Sequence, residues 1–299
     1  MMPRINKYFN YFGLIILLIS SMLILLLPLK ESTSTAKIAV LNRLRPEYKK
    51  LLILHNNSTN KEHTAHPFKQ YFTQILTYMP NRSDAFGLLA YSNYNLNNTS
   101  EAINNYKQAI ELNPKFFWYY YNLSILYSNI NNHQMSVYLL EKALTLSPLT
   151  TLNGIIQSQK IYLPLHIQVG NKTGADLEKE LRDGYNNGRL LLIYNYEKLN
   201  MYDKVLSLSS AGLKTSTQNH DFYFYMLGKI AYKTQNYKRS FEFLQQSLSS
   251  NPKYLPSLIL MKDIAVRTKQ SILSEQLELR IRNNTGNMSD EPTWLLEVF

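Results

Sequence analysis

The chain has 299 residues, 45% of them hydrophobic and 18% charged, which suffices for a substantial core and excludes wholesale disorder. Ten Gly and 11 Pro are too few turn formers for an all-β sandwich or barrel, and the absence of Cys excludes disulfides, thiolate metal sites and thiol catalysis. The net charge is +11, but residues 1–60 hold 8 Lys/Arg against 2 Asp/Glu, so the remaining chain lacks the basic stripe that nucleic acid requires and none is expected as partner.

In chain order, residues 1–11 form a basic tail with Arg4 and Lys7. Residues 12–29, FGLIILLISSMLILLLPL, carry no charge. As a helix rising about 1.5 Å per residue they span roughly 27 Å, near the thickness of a bilayer's hydrocarbon core. This predicts a single transmembrane anchor, with a cleaved signal peptide as the alternative because Ser34-Thr35-Ala36 offers small residues for cleavage. A basic N-terminus is hard to translocate, which places the bulk of the chain outside the cytoplasm. Lys37, Arg43, Arg45, Lys49 and Lys50 argue for the cytoplasm-facing alternative. Residues 30–66 read as a basic juxtamembrane linker attracted to anionic lipid. His55, His63 and His66 fall inside it without a supporting Cys or HExxH spacing, so solvated linker is expected and metal is not.

Beyond the linker the chain repeats. Pro80, Pro114 and Pro148 stand 34 residues apart, each closing a run with helical apolar spacing, and Pro252 closes another in the same frame. Aligning Ser83–Phe116, Phe117–Thr150 and Asp221–Tyr254 stacks small residues at Ala90/Ser124/Gly228, Ala102/Ser136/Ser240 and Ala109/Ala143/Ser247. Bulky residues stack at Phe86/Tyr120/Phe224, Leu89/Leu123/Leu227 and Tyr106/Leu140/Leu244. Two antiparallel helices approach closely where small residues allow it, and bulky ones fill the remaining gaps. Asn97-Asn98, Asn131-Asn132 and Gln235-Asn236 supply the intervening turns.

This pattern resembles the tetratricopeptide repeat. The resemblance implies an all-α protein: a right-handed α-solenoid of helix pairs following the single N-terminal transmembrane helix. Repeats are expected over 67–150 and 186–283, with a worn final pair over 254–283. Residues 151–185 match poorly; Pro164, Gly170 and Gly174 interrupt them, predicting a loop around 162–173 and a helix from Ala175 to Tyr185. Residues 284–299 read as a C-terminal segment whose Trp294-Leu295-Leu296 helix caps the last repeat, an exposed recognition tail being the alternative.

No phosphate-binding glycine loop, nucleophile elbow or zinc-protease motif occurs, and acidic pairs such as Glu178 and Glu180 lie among lysines on an exposed face. No enzyme activity, cofactor or metal is expected. The resemblance places ligands on the concave wall built by the first helix of each pair. Helical spacing puts Trp118, Tyr121, Asn122, Ile125 and Asn129 on one face of the second copy. Leu88, Tyr91 and Asn95 correspond in the first, and Phe222, Tyr225, Met226, Lys229 and Lys233 in the later one. Aromatic anchors with amides suit an extended peptide or a partner helix. The expected function is a membrane-tethered, non-catalytic interaction scaffold; the alternative is an accessory subunit of a membrane enzyme or of an envelope assembly or secretion machinery.

Overall fold

A computed structural model describes residues 61–146, 174–216 and 218–284. Among these residues there are eleven helices and no strand. Helix α1 (Lys61–Tyr78) precedes two pairs, α2 (Ser83–Asn95) with α3 (Thr99–Leu112) and α4 (Phe117–Asn129) with α5 (His133–Thr145). Three further pairs follow: α6 (Gly174–Lys198) with α7 (Tyr202–Thr215), α8 (His220–Lys233) with α9 (Tyr237–Ser250), and α10 (Leu255–Arg267) with α11 (Ser271–Arg282). Each helix packs on its neighbours in sequence, the nearest-neighbour arrangement of an α-solenoid.

Every pair is hinged by one residue in the left-handed region: Asn97 (φ 59°), Asn131 (61°), Asn200 (57°), Gln235 (61°) and Lys269 (59°). The following N–H then reaches back to a carbonyl in the last turn of the first helix, as from Asn98 to Asn93, Asn132 to Tyr127 and Asn236 to Ala231, each at 2.8 Å. This closure satisfies carbonyls that the helix end would otherwise orphan. Asn132 and Asn236 also cap the second helix, accepting from the N–H of Met135 and Arg239 at 3.2 Å. One short segment thus ends a helix, reverses the chain and starts the next.

The alternation of small and large residues is a packing requirement. Ala90, Ala102, Ala109, Ser124, Ser136, Ala143, Ser240 and Ser247 are all buried, as are bulky Tyr106, Leu140 and Leu244 between them. A Cβ added to Gly228 would lie 2.9 Å from Leu244 Cγ and 3.3 Å from the Ser240 carbonyl oxygen. Ser240 Oγ donates to the Gly228 carbonyl at 2.8 Å, so the small residues also tie the backbones together.

Two expected boundaries move. Helix α1 takes in residues 61–66, read as linker, and Pro67 lies inside it. Thr64, Ala65 and Phe68 are buried, so packing holds the segment helical. The break expected near residue 186 is absent, because α6 runs without interruption from Gly174 to Lys198. No proline stands in this stretch, and Gly184 packs flush on Trp118, where a Cβ would lie 1.9 Å from Cη2. The apolar run 12–29, the loop expected around 162–173 and the tail 285–299 lie outside the described residues. Among the described residues no helix is long and apolar enough to cross a membrane.

Candidate binding surface

The proposed ligand-facing residues fall into two groups. Trp118, Tyr121, Asn122 and Ile125 of α4 are buried, as are Leu88 of α2 and Phe222 and Met226 of α8. Tyr91, Asn95, Tyr225 and Lys229 are half-buried, and Asn129 and Lys233 are exposed.

The buried group, including Trp118, Tyr121 and Asn122 of α4, which spacing assigns to the ligand-facing side, packs within the array itself. Trp118 meets Phe117 and Tyr121 edge-on, with ring centroids 4.9 and 5.6 Å away, and Gly184 of α6 covers its far edge. Phe117 stacks on Tyr185 of α6 at 4.2 Å, and the Tyr185 hydroxyl donates to the Leu146 carbonyl at 2.6 Å. The uninterrupted α6 therefore closes over the face of α4 that spacing had assigned to a groove. Asn122 turns inward: its Nδ2 donates to the Tyr106 hydroxyl of α3 at 3.0 Å. Burial pushes that phenol well above its ordinary pKa, the bond from Asn122 offsetting only part of the effect.

The open group forms a row along the first helices. Asn95 Nδ2 donates to the Tyr91 carbonyl at 2.9 Å, and Asn129 stands one repeat further on. Lys198 and Lys229 lie over the rings of Tyr194 and Tyr225, 5.1 and 5.8 Å from the centroids. Lys229 and Lys233 also converge on Glu197 of α6, at 3.2 and 2.6 Å. Glu197 is 2% exposed. Burial alone would raise its pKa, but the hydrogen bond from Lys233 and the charge of Lys229 outweigh this and hold it below the ordinary value. Lys233 in turn is raised: burial lowers it, and the bond to Glu197 more than compensates. The two lysines therefore arrive with one charge already neutralised.

Sequence spacing missed Glu197 and its neighbour Asn195. Asn195 is fully buried; its Oδ1 accepts from Ser128 Oγ at 3.1 Å and lies 2.8 Å from His133 Nδ1, while its Nδ2 donates to the Leu191 carbonyl at 2.8 Å. It ties α6 to α4 and α5. The available signal was an amide and a carboxylate within the largely apolar run LLLIYNYE. His66 is exposed, and among the described residues no cluster of three or more His, Cys, Asp or Glu could hold a metal.

Models of the tetratricopeptide repeat match residues 91–130, 119–148 and 223–254 of the chain. The TPR repeat-containing protein MJ1428 of Methanocaldococcus jannaschii is 25% identical over 178 residues, covering 60% of this chain and 26% of that protein, so the chain spans about a quarter of that relative's length. Among solved structures, the type IV pilus biogenesis factor PilW aligns with a TM-score of 0.56 at 13% identity, over 82% of this chain and 95% of its own. Pseudomonas aeruginosa pilF aligns at 0.54 and 13%, over 83% and 95%. At such identities the likeness establishes the shared helical solenoid.

Proposed function

We propose that the chain is a non-catalytic interaction scaffold, tethered to a membrane by residues 12–29, that binds a peptide segment or partner helix along the row of first helices. The observation that carries the binding role is the row itself. Tyr91 and Asn95, Asn129, Tyr194 and Lys198, then Tyr225, Lys229 and Lys233 stand half-buried or exposed on successive repeats. Aromatic bodies anchor a ligand at low entropic cost, and amide and ammonium groups pair with its backbone and carboxylates. The tethering role rests on the uncharged run 12–29 and its basic flanks.

A photo-crosslinking amino acid at Asn95 or Asn129 is expected to capture one discrete partner, whereas the same probe at Asn104 or Lys107 on a second helix captures none. Equal capture from both faces would overturn the placement. The full chain should resist carbonate extraction from membranes; release by salt alone would remove the anchor. The second reading, a subunit of an envelope assembly or secretion apparatus, is suggested by what PilW is described to do and by the same apolar run. The identity of the captured protein separates the two readings.

A further inference from the structure

The second helices bear a cleft that the ligand row does not share. It encloses about 530 Å³ between α7 and α9, with α8 as its floor. Leu206 and Leu213 line one side, Phe243 the other, and Ala231 lies at the bottom. Among the described residues of its lining the charged ones are Lys214 and Arg239, both exposed, and none is a carboxylate. The Arg239 guanidinium sits 5.5 Å from the Phe243 ring centroid.

The internal repeat explains why the cleft is open. Ala231 occupies the place that Tyr127 holds in α4, one junction earlier in the clear copies. There Tyr127 is 9% exposed, and Lys107 of α3 lies over its ring at 6.0 Å, so the side chain fills the space between the second helices. Replacing that phenol by a methyl group leaves room for one aromatic side chain. The rim changes as well: Lys214 stands where α3 has Glu111, and Arg239 where α5 has Met135. Where the earlier junction has a filled gap beside a carboxylate, this one has an open gap between two cations.

We propose that this cleft is a second binding site, taking an acidic segment of a partner protein. The segment inserts one aromatic side chain where Tyr127 stands in the earlier junction and sets carboxylates against Lys214 and Arg239. An apolar pocket with a cationic rim selects for this combination, because the buried ring supplies affinity and the charges supply register and encounter rate.

The test uses the full chain and fluorescence anisotropy of a labelled helical peptide carrying one Phe with Glu one turn to either side. Micromolar binding is expected. Ala231→Tyr, which plugs the cleft with the side chain native to the earlier junction, should weaken it at least about tenfold. The paired reversal Lys214→Glu with Arg239→Glu changes two exposed residues and should weaken it about tenfold too, while gaining affinity for the peptide with Lys in place of Glu. Asn129→Ala on the ligand row should leave binding unchanged, which keeps this test separate from the proposed function. No binding, equal binding by both variants, or equal binding of the Phe→Ala peptide would each overturn the proposal. Thermal melts establish that the variants fold, and the charge reversal decides the matter if Ala231→Tyr does not.

Discussion

Glu197 is a carboxylate almost entirely buried, and two lysines from the next repeat pair with it and make that tolerable. Glu197→Gln would leave Lys229 and Lys233 facing each other across a neutral amide. We expect a loss of about 1–3 kcal/mol, below that of a fully enclosed pair because both lysines reach solvent. The sign of the pH effect follows from the directions. Glu197 is lowered in the folded chain, so its contribution is present above the unfolded value of about 4.3 and is lost as pH falls through the folded value. Lys233 is raised, so its contribution is lost as pH rises through its folded value, above about 10.4. Melting curves of the wild type should therefore fall away in acid more steeply than those of Glu197→Gln; parallel acid limbs would show that the carboxylate adds nothing. A second residue-scale case is Asn122. Its removal by Asn122→Ala strips the buried Tyr106 hydroxyl of its bond and should cost about 1–3 kcal/mol, whereas adding Tyr106→Phe removes the stranded group and should recover part of that loss. Strict additivity in the double variant would mean that the bond carries no energy.

At the scale of elements the turns and the long helix behave differently. The left-handed hinge is an Asn in three pairs but Gln235 and Lys269 in the last two, where a Cβ costs about 1–2 kcal/mol. Gln235→Gly should stabilise the chain by about 1 kcal/mol in urea denaturation, since relief of strain exceeds the entropy that glycine gains on unfolding. An unchanged or lower midpoint would place the strain elsewhere. These hinges were legible in the sequence because the cause is local: Asn97-Asn98 and Asn131-Asn132 carry their own conformational preference, and the proline interval fixes their spacing. The small residues at Ala90, Ser124 and Gly228 were legible for a related reason, since a small residue recurs at that place in the three clear copies. Helix α6 was misread at residue 186 because the contact that fills the place of a stop signal is remote, Gly184 lying against Trp118 some 66 positions earlier. That the face of α4 bearing Trp118 is covered was illegible for the same reason. Helical spacing shows which residues share a face, but what covers that face depends on a helix beyond an irregular stretch. Pairings between repeats, such as Glu197 with Lys233, carry no signature in either segment taken alone.

Across the whole molecule the apolar side chains fall into clusters of unequal size. One runs from Ala90 in α2 to Ile230 in α8 and includes the aromatic group around Trp118; another joins α9, α10 and α11 through Leu244, Leu248, Leu258, Met261, Ile264 and Leu277. Tyr225 packs against both. At this seam Ser247 Oγ donates to the Asp221 carbonyl at 2.8 Å and lies 2.7 Å from Ser257 Oγ. In a solenoid each repeat is stabilised only by itself and its neighbours, so a cluster at one end opens without the rest. Native-state hydrogen exchange should show amides of α9, α10 and α11 opening together at lower free energy than those of α4, which is enclosed on nearly every side. Leu258→Ala removes a buried side chain from the smaller cluster and should lower protection there by about 2–4 kcal/mol. The slowest amides of α4 should exchange as before, because Leu258 and α4 belong to different clusters. A matching loss of protection in α4 would show that the described repeats unfold as one unit and that the seam at Ser247 transmits strain instead of ending it.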